Sequence, residues 1–169
     1  MTLPARRPAV SASFAATAEE HLDDVYAYLV YLTRDRTLAE DLAADTFEKA
    51  LGLWRRFDPN RASARTWLCQ IARTTALDWF RAEERRQRRE QRAAVPDTYD
   101  GGLSPGLSPE LEAALAALSA GEREVIALRI LLELDGDEAA RVLGISPTAV
   151  STRLSRALKK LEEKVSIHV

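Results

Sequence analysis

The residues from Asp135 to Leu161, DGDEAARVLGISPTAVSTRLSRALKKL, place hydroxyls and cations at a spacing suited to contacts with duplex DNA. Asp135 and Glu138 have the separation of a capping pair, and Ala139, Ala140 and Leu143 form a small apolar face on the helix that follows. Gly144 supplies a break. Ser146 is a cap for a second helix, and Pro147 falls at its first position, where the missing N–H costs nothing. On that helix Val150, Leu154, Ala157, Leu158 and Leu161 recur at three- and four-residue steps as the buried stripe. Thr148, Ser151, Thr152, Ser155, Arg156 and Lys159 are left facing outward, as groove-sized hydrogen-bonding groups and phosphate-seeking cations. This is the pattern of a helix-turn-helix. A helical hairpin with a solvated basic face has the same periodicity.

The second set of chemically suggestive residues is acidic. From Glu19 to Glu48 nine carboxylates stand against only Arg34 and Arg36, and Asp41, Asp45 and Glu48 fall three or four apart on one helix face. From Arg141 to Lys164 the balance reverses, with six cations against Glu162 and Glu163. One end of the chain is suited to a basic protein surface and the other to phosphate. A solvated face is the alternative reading of the acids. The net charge of −2 over 169 residues argues against indiscriminate coating of nucleic acid.

The elements that carry these residues divide into two blocks. Ala93 to Pro109, AAVPDTYDGGLSPGLSP, has turn formers throughout and no sustained apolar period, which reads as a flexible linker. The expected layout is a disordered tail over 1–12, a helical domain over 13–92, a linker over 93–108 and a second helical domain over 109–169. Each core is thin, so stability leans on a partner or on the other block.

In the first block Leu22, Val25, Tyr26, Leu29, Val30 and Leu32 mark one amphipathic helix. Thr37 with Glu40 reads as a capping box for the next, whose stripe is Leu38, Leu42, Ala43, Thr46, Ala50, Leu53, Trp54 and Phe57. Phe57 to Ser63 is a loop, since Pro59 stops the helix and Asp58 and Asn60 favour turns. A third helix begins near Ala64 and dissolves into the charge-dense RAEERRQRREQR from Arg81 to Arg92. Arg65, Arg73, Arg81, Arg85 and Arg86 lie among Trp67, Trp79 and Phe80, a mixture that suits a single strand, although aromatics on an apolar stripe usually pack.

Cys69 is alone, so no intramolecular disulfide forms, and with only His21 and His168 no zinc site is expected. No nucleophile–base cluster, phosphate-cradling glycine loop or membrane-spanning run appears, so neither an enzyme nor a cofactor-dependent protein is expected, and the location expected is cytoplasmic.

The order of these motifs resembles the extracytoplasmic-function group of the sigma-seventy family of RNA polymerase sigma factors. AEDLAADTFEKAL, from Ala39 to Leu51, resembles the part of region two that docks on the coiled coil of the largest polymerase subunit. Phe57 to Arg86 resembles the part that melts and reads the minus-ten element, and Leu118 to Leu161 resembles region four, which reads the minus-thirty-five element. The resemblance implies an all-α, two-domain initiation factor, with core RNA polymerase, promoter duplex and the melted non-template strand as partners, and in some members an anti-sigma protein. It assigns Asp41, Asp45 and Glu48 to polymerase docking. Asp58, Asn60, Arg61 and Ser63 are assigned to a base flipped from the strand, and Arg73, Thr74, Asp78 and Arg81 to the strand beyond it. Thr148, Ser151, Thr152, Arg153, Ser155, Arg156 and Lys159 are assigned to the minus-thirty-five duplex. Thr74 stands where many members carry asparagine, and Ser151 where a basic residue is common, so the promoter sequence is left open. The rival from another class is a dimeric helix-turn-helix regulator that binds duplex operators by itself.

Overall fold

The computed structural model describes residues 10–90 and 108–166, which among them form seven α-helices and no strand. Helices α1 (Val10–Thr33), α2 (Arg36–Leu53) and α3 (Ala64–Glu90) make one bundle. Helices α4 (Pro109–Ala116), α5 (Ala120–Ile126), α6 (Gly136–Leu143) and α7 (Pro147–Ser166) make the second. The linker expected over 93–108 lies outside the described residues except for Ser108, which caps α4 by accepting from the Leu111 N–H. Helix α1 begins at Val10, inside the stretch expected to be disordered; residues 1–9 are outside the described part.

Two boundaries differ from the sequence reading. The cap of α2 is Asp35, not a Thr37–Glu40 box. Arg34 adopts a left-handed backbone (φ 56°) that ends α1, with its N–H on the Val30 carbonyl at 2.7 Å. The chain has therefore already turned at Asp35, whose extended backbone lets its carboxylate accept from the Leu38 N–H at 3.0 Å. Helix α3 does not dissolve after Phe80 but runs to Glu90. Its charges are arranged as i,i+3 and i,i+4 pairs, with Arg86 on Glu83 at 2.8 Å and Arg88 on Glu84 at 2.6 Å, a spacing that supports helix.

In the second bundle the expected signals appear in place. Asp135 and Glu138 form a reciprocal capping box at the start of α6, and Gly144 ends that helix with φ +66°. Ser146 accepts from the Ala149 N–H at 3.1 Å at the start of α7. A second capping box, Ser119 with Glu122, opens α5. A π-turn over Ala127–Leu131 follows, its Leu132 N–H reaching back to the Ala127 carbonyl.

The apolar stripes were largely as expected, with three corrections. Leu22, Leu53 and Leu158 are 48%, 38% and 42% exposed, at the margins of their stripes. Val150, Leu154, Ala157 and Leu161 define the seam of α7, and Leu158 sits about 70° round the helix from its centre. Conversely Tyr28 is fully buried, between Val25 and Leu29 on the same face.

One continuous core links both bundles. Val25, Tyr28 and Leu29 of α1 belong to the same buried cluster as Val125 of α5 and Leu128 and Leu134 beyond it. Helix α5 and the π-turn pack on α1, and α6 packs on α3. Because Gly144 is the one glycine with a left-handed backbone among those described, Gly144→Ala is expected to lower stability by about 1 kcal/mol, read by urea denaturation.

Candidate nucleic-acid interface

Phe57 to Ser63 is held against α3 by aromatic packing. Trp54 stacks on Phe57 with centroids 5.0 Å apart, Phe57 meets Trp67 at 5.1 Å, and Phe14 of α1 abuts Trp54 edge-on at 5.4 Å. Trp67 is thus part of the support for the loop, while Trp79 and Phe80 pair with each other at 5.6 Å further along α3. The Asp58 carboxylate accepts from the Asn60 N–H at 2.9 Å, an Asx turn that sets the loop's shape. Arg56, Asp58, Arg61, Ala62, Trp67 and Gln70 line a cleft of about 370 Å³ whose remaining wall is Arg141 of the second bundle.

The other residues expected on the strand-binding face have three different surroundings. Thr74, Asp78 and Arg81 are exposed; Asp78 and Arg81 pair loosely at 3.5 Å, and the Thr74 hydroxyl returns to the Gln70 carbonyl at 3.0 Å. Arg73 is half-buried, its Nε 2.7 Å from Oε1 of Glu124 on α5. The Thr66 hydroxyl donates to Oε1 of Glu138 on α6 at 3.2 Å, and the Ser63 hydroxyl lies 3.3 Å from the same oxygen.

The acidic face of α2 is open. Asp41, Asp45 and Glu48 are exposed on the side away from Leu42, Ala43, Thr46 and Ala50. Lys49, at the edge of that face, donates to the Thr75 hydroxyl at 3.2 Å and bridges α2 to α3.

On α7, Thr148, Ser151, Thr152, Ser155, Arg156 and Lys159 are all exposed, as the helical period demands. Arg153 departs from them: it is half-buried, and its guanidinium lies over Gly121, where an added Cβ would meet Nη1 at 3.4 Å. Thr148, Thr152, Arg153 and Arg156 share a groove of about 620 Å³ with Ser119 and Glu122 at the start of α5. The sequence reading omitted Lys160, whose Nζ sits 2.6 Å from Oε1 of Glu122 and ties α7 to α5. Its signal was the capping box itself, since a Glu held at a helix N-terminus leaves one oxygen free for a cation. Cys69 is buried, and desolvation pushes its thiol up to about 12, so it is inert.

Among the described residues no group of His, Cys, Asp and Glu is placed to hold a metal, and no helix is long and apolar enough to cross a membrane.

Two family models match this geometry in chain order: sigma-70 region 2 over residues 17–86 and sigma-70 region 4 over residues 108–161. The chain belongs to the sigma-70 family. Among its relatives, the extracytoplasmic-function (ECF) RNA polymerase sigma factor SigX of Bacillus subtilis is 30% identical over 92% of this chain and 84% of its own. SigC of Mycobacterium tuberculosis, also an ECF sigma factor, is 35% identical over 79% and 73%. In three dimensions the chain is similar to CnrH, solved with the cytosolic domain of CnrY, at TM-score 0.69 and 26% identity over 94% of this chain and 91% of that one. The fold is shared as well with RpoE of Bartonella quintana, solved with the anti-sigma factor NepR, at TM-score 0.79 and 24% identity over 92% and 98%.

The chain is therefore an ECF-type sigma factor, a transcription initiation factor that directs core RNA polymerase to promoters. The dimeric-regulator alternative is not favoured, because region two precedes the helix-turn-helix. The region 2 match, 17–86, falls on α1–α3, and the region 4 match, 108–161, on α4–α7.

The link between α5 and α7 has a pH signature. The Lys160 ammonium, then the Ser119 backbone N–H, hold the Glu122 carboxyl below its ordinary value of 4.5. A depressed native value contributes stability above about pH 4.5 that is lost as pH falls through the lowered value. Glu122→Gln is expected to flatten the acid limb of a thermal-melt series as the pH falls below about 4.5.

Proposed function

We propose that the three exposed surfaces divide the work of initiation. Asp41, Asp45 and Glu48 on α2 dock on a basic coiled coil of the largest polymerase subunit. The 57–63 loop, with Asp58, Asn60, Arg61 and Ser63, takes a base flipped from the non-template strand, and Arg73, Thr74, Asp78 and Arg81 follow that strand along α3. Helix α7 enters the minus-thirty-five major groove with Thr148, Ser151, Thr152, Ser155, Arg156 and Lys159. Arg153, packed on α5, orients the N-terminal end of α7 and meets phosphate at its margin.

The observation that carries this reading is the exposed hydroxyl-and-cation face of α7 immediately after a helix whose cap and left-handed glycine set the turn. Charge supports it too: the acidic face of α2 suits a protein and repels DNA, while α7 carries the cations. The protein does this without catalysis or a cofactor of its own, in the cytoplasm where polymerase works. An anti-sigma protein belongs among its partners, as the anti-sigma factor NepR does for RpoE.

Run-off transcription on a genomic fragment library with core polymerase, with and without this protein, tests the assignment. Start sites sharing two upstream motifs are expected only in its presence. Arg156→Ala is expected to lower the yield from those starts about tenfold or more, the scale of one lost base contact of ~1–3 kcal/mol, with affinity for core polymerase unchanged. Asp45→Lys with Glu48→Lys is expected to abolish co-purification with core, and the run-off starts with it, while leaving the helicity of α7 intact. Loss of core binding by Arg156→Ala, or full core binding by the Asp45→Lys/Glu48→Lys variant, would refute the division.

A further inference from the structure

The C-terminal stretch of α3 sorts its charges around the helix. Residues 82–90, AEERRQRRE, hold four arginines and three glutamates, and all but Glu83 are exposed or at the surface edge. Glu83 takes the Arg86 guanidinium at 2.8 Å, Glu90 approaches the same group at 4.0 Å, and Glu84 takes Arg88 at 2.6 Å. Every acid of the stretch is thereby engaged by Arg86 or Arg88. Arg85 and Arg89 have no carboxylate partner among the described residues. Arg89 donates its Nε to the Arg85 carbonyl at 3.3 Å instead, and its terminal nitrogens are left without a partner there.

The two unpaired arginines share a face with residues already assigned to DNA. At about 100° per residue, Thr74, Asp78, Arg81, Arg85 and Arg89 fall within an arc of about 80°. Arg85 and Arg89 therefore prolong the strand-binding face of α3, while Arg86, one residue on, points about 100° away from Arg85. Helix support alone accounts for Arg86 and Arg88 through their i,i+3 and i,i+4 pairs. A cation in the last turn favours the helix dipole, which gives Arg89 a local reason, but Arg85 lies more than a turn before Glu90 and has none.

We infer that Arg85 and Arg89 form a sequence-independent phosphate site for the promoter duplex immediately upstream of the melted minus-ten segment. Its position along the promoter rests on the strand assignment of Arg81 proposed above. The chain runs from the 57–63 loop along α3 and on to region four, which reads the element farther upstream, so the end of α3 points away from the melted bases. From Arg81 to Arg89 the helix advances about 12 Å, the rise of three to four base pairs. The region 2 match ends at residue 86, so Arg89 lies beyond it.

The chemistry of the stretch selects duplex phosphate over bases. Residues 82–90 contain no aromatic ring and no hydroxyl, so they offer neither a stacking platform for a single strand nor small groups for base edges. Arginine alone suits phosphate oxygens, which position a protein on DNA without carrying sequence information.

The test uses holoenzyme assembled from core polymerase and the full chain, on a promoter fragment taken from the run-off starts, with affinity read by fluorescence anisotropy across a salt series. Each duplex phosphate contact contributes about 0.9 to the slope of log affinity against log salt, so Arg85→Gln/Arg89→Gln is expected to lower that slope by about 1.8. Between about 50 and 200 mM salt the wild type then loses about tenfold more affinity than the variant. Arg85→Gln alone is expected to lower the slope by about 0.9, whereas Arg86→Gln, which removes the same charge where Glu83 holds it, leaves the slope unchanged. Arg85→Lys/Arg89→Lys keeps both charges and is expected to retain the wild-type slope. Affinity for a short single strand carrying the minus-ten element is expected to be the same for wild type and the double Gln variant. The same ordering is expected for the full chain alone on a random-sequence duplex of about 20 base pairs, which requires no promoter.

Equal effects of Arg85→Gln and Arg86→Gln overturn the site, as does a wild-type slope in the double Gln variant or a loss confined to the single strand. Arg81→Gln separates this site from the strand assignment. If it leaves single-strand affinity unchanged while the double variant still lowers the duplex slope, the strand assignment fails and the phosphate site stands. If Arg81→Gln weakens the single strand and the double variant behaves as wild type, only the phosphate site fails.

Discussion

Glu124 is a carboxylate 6% exposed, and the arrangement of the two bundles depends on how its charge is satisfied. A buried charge must be paired and hydrogen-bonded or it destabilises the fold by several kcal/mol. Its partners come from the other bundle: the Tyr28 hydroxyl of α1 and the Arg73 guanidinium of α3 both reach the same oxygen. Tyr28 is coupled in turn, since burial and then the Glu124 charge raise its pKa well above the ordinary 10.0, keeping the phenol protonated as a donor. The contact therefore has a direction, with the phenol and guanidinium donating to the carboxylate. Separating the bundles exposes all three groups to water at once, so the junction either holds as a unit or is lost as one.

Around that junction the chain segregates its functions by charge and by element length. Three helices of 18 to 27 residues make the region-two frame, while region four uses three helices of 7 or 8 residues to aim a single long one. Short helices gain little from their own hydrogen bonds, which explains why α5 and α6 each carry a complete capping box. Glu122 and Glu138 then each serve twice, closing a cap and binding across to another element through Lys160 or through Ser63 and Thr66. The caps position recognition surfaces as well as ending helices.

The 57–63 loop shows how an irregular segment gains a defined shape. No regular backbone ladder holds it. Phe14, Trp54, Phe57 and Trp67 instead form a contiguous ring cluster at its base, and the Asx turn at Asp58 orders its tip. Aromatic residues that looked equally suited to stacking on bases are at this end of α3 the loop's foundation, while Trp79 and Phe80 sit beyond it.

Local signals in the sequence determined the helix-turn-helix, the 57–63 loop and the start of α3 at Ala64, because caps, proline, turn-forming side chains and 3.6-residue periodicity act within a few residues of themselves. The same locality explains the misplaced details. The cap of α2 moved to Asp35 because a left-handed Arg34 cannot be read from neighbouring residue types, and α3 persisted to Glu90 because its Glu–Arg pairs support a helix that composition alone made look frayed. Tyr28 was legible in period, at three residues from Val25, yet its role was not, since its partner lies 96 residues away. The same holds for Arg73 and Ser63. Sequence marked them as polar groups on a nucleic-acid face, and only the tertiary structure set Glu124 and Glu138 against them. Contacts across that separation depend on how two independently patterned bundles dock, which no local propensity encodes.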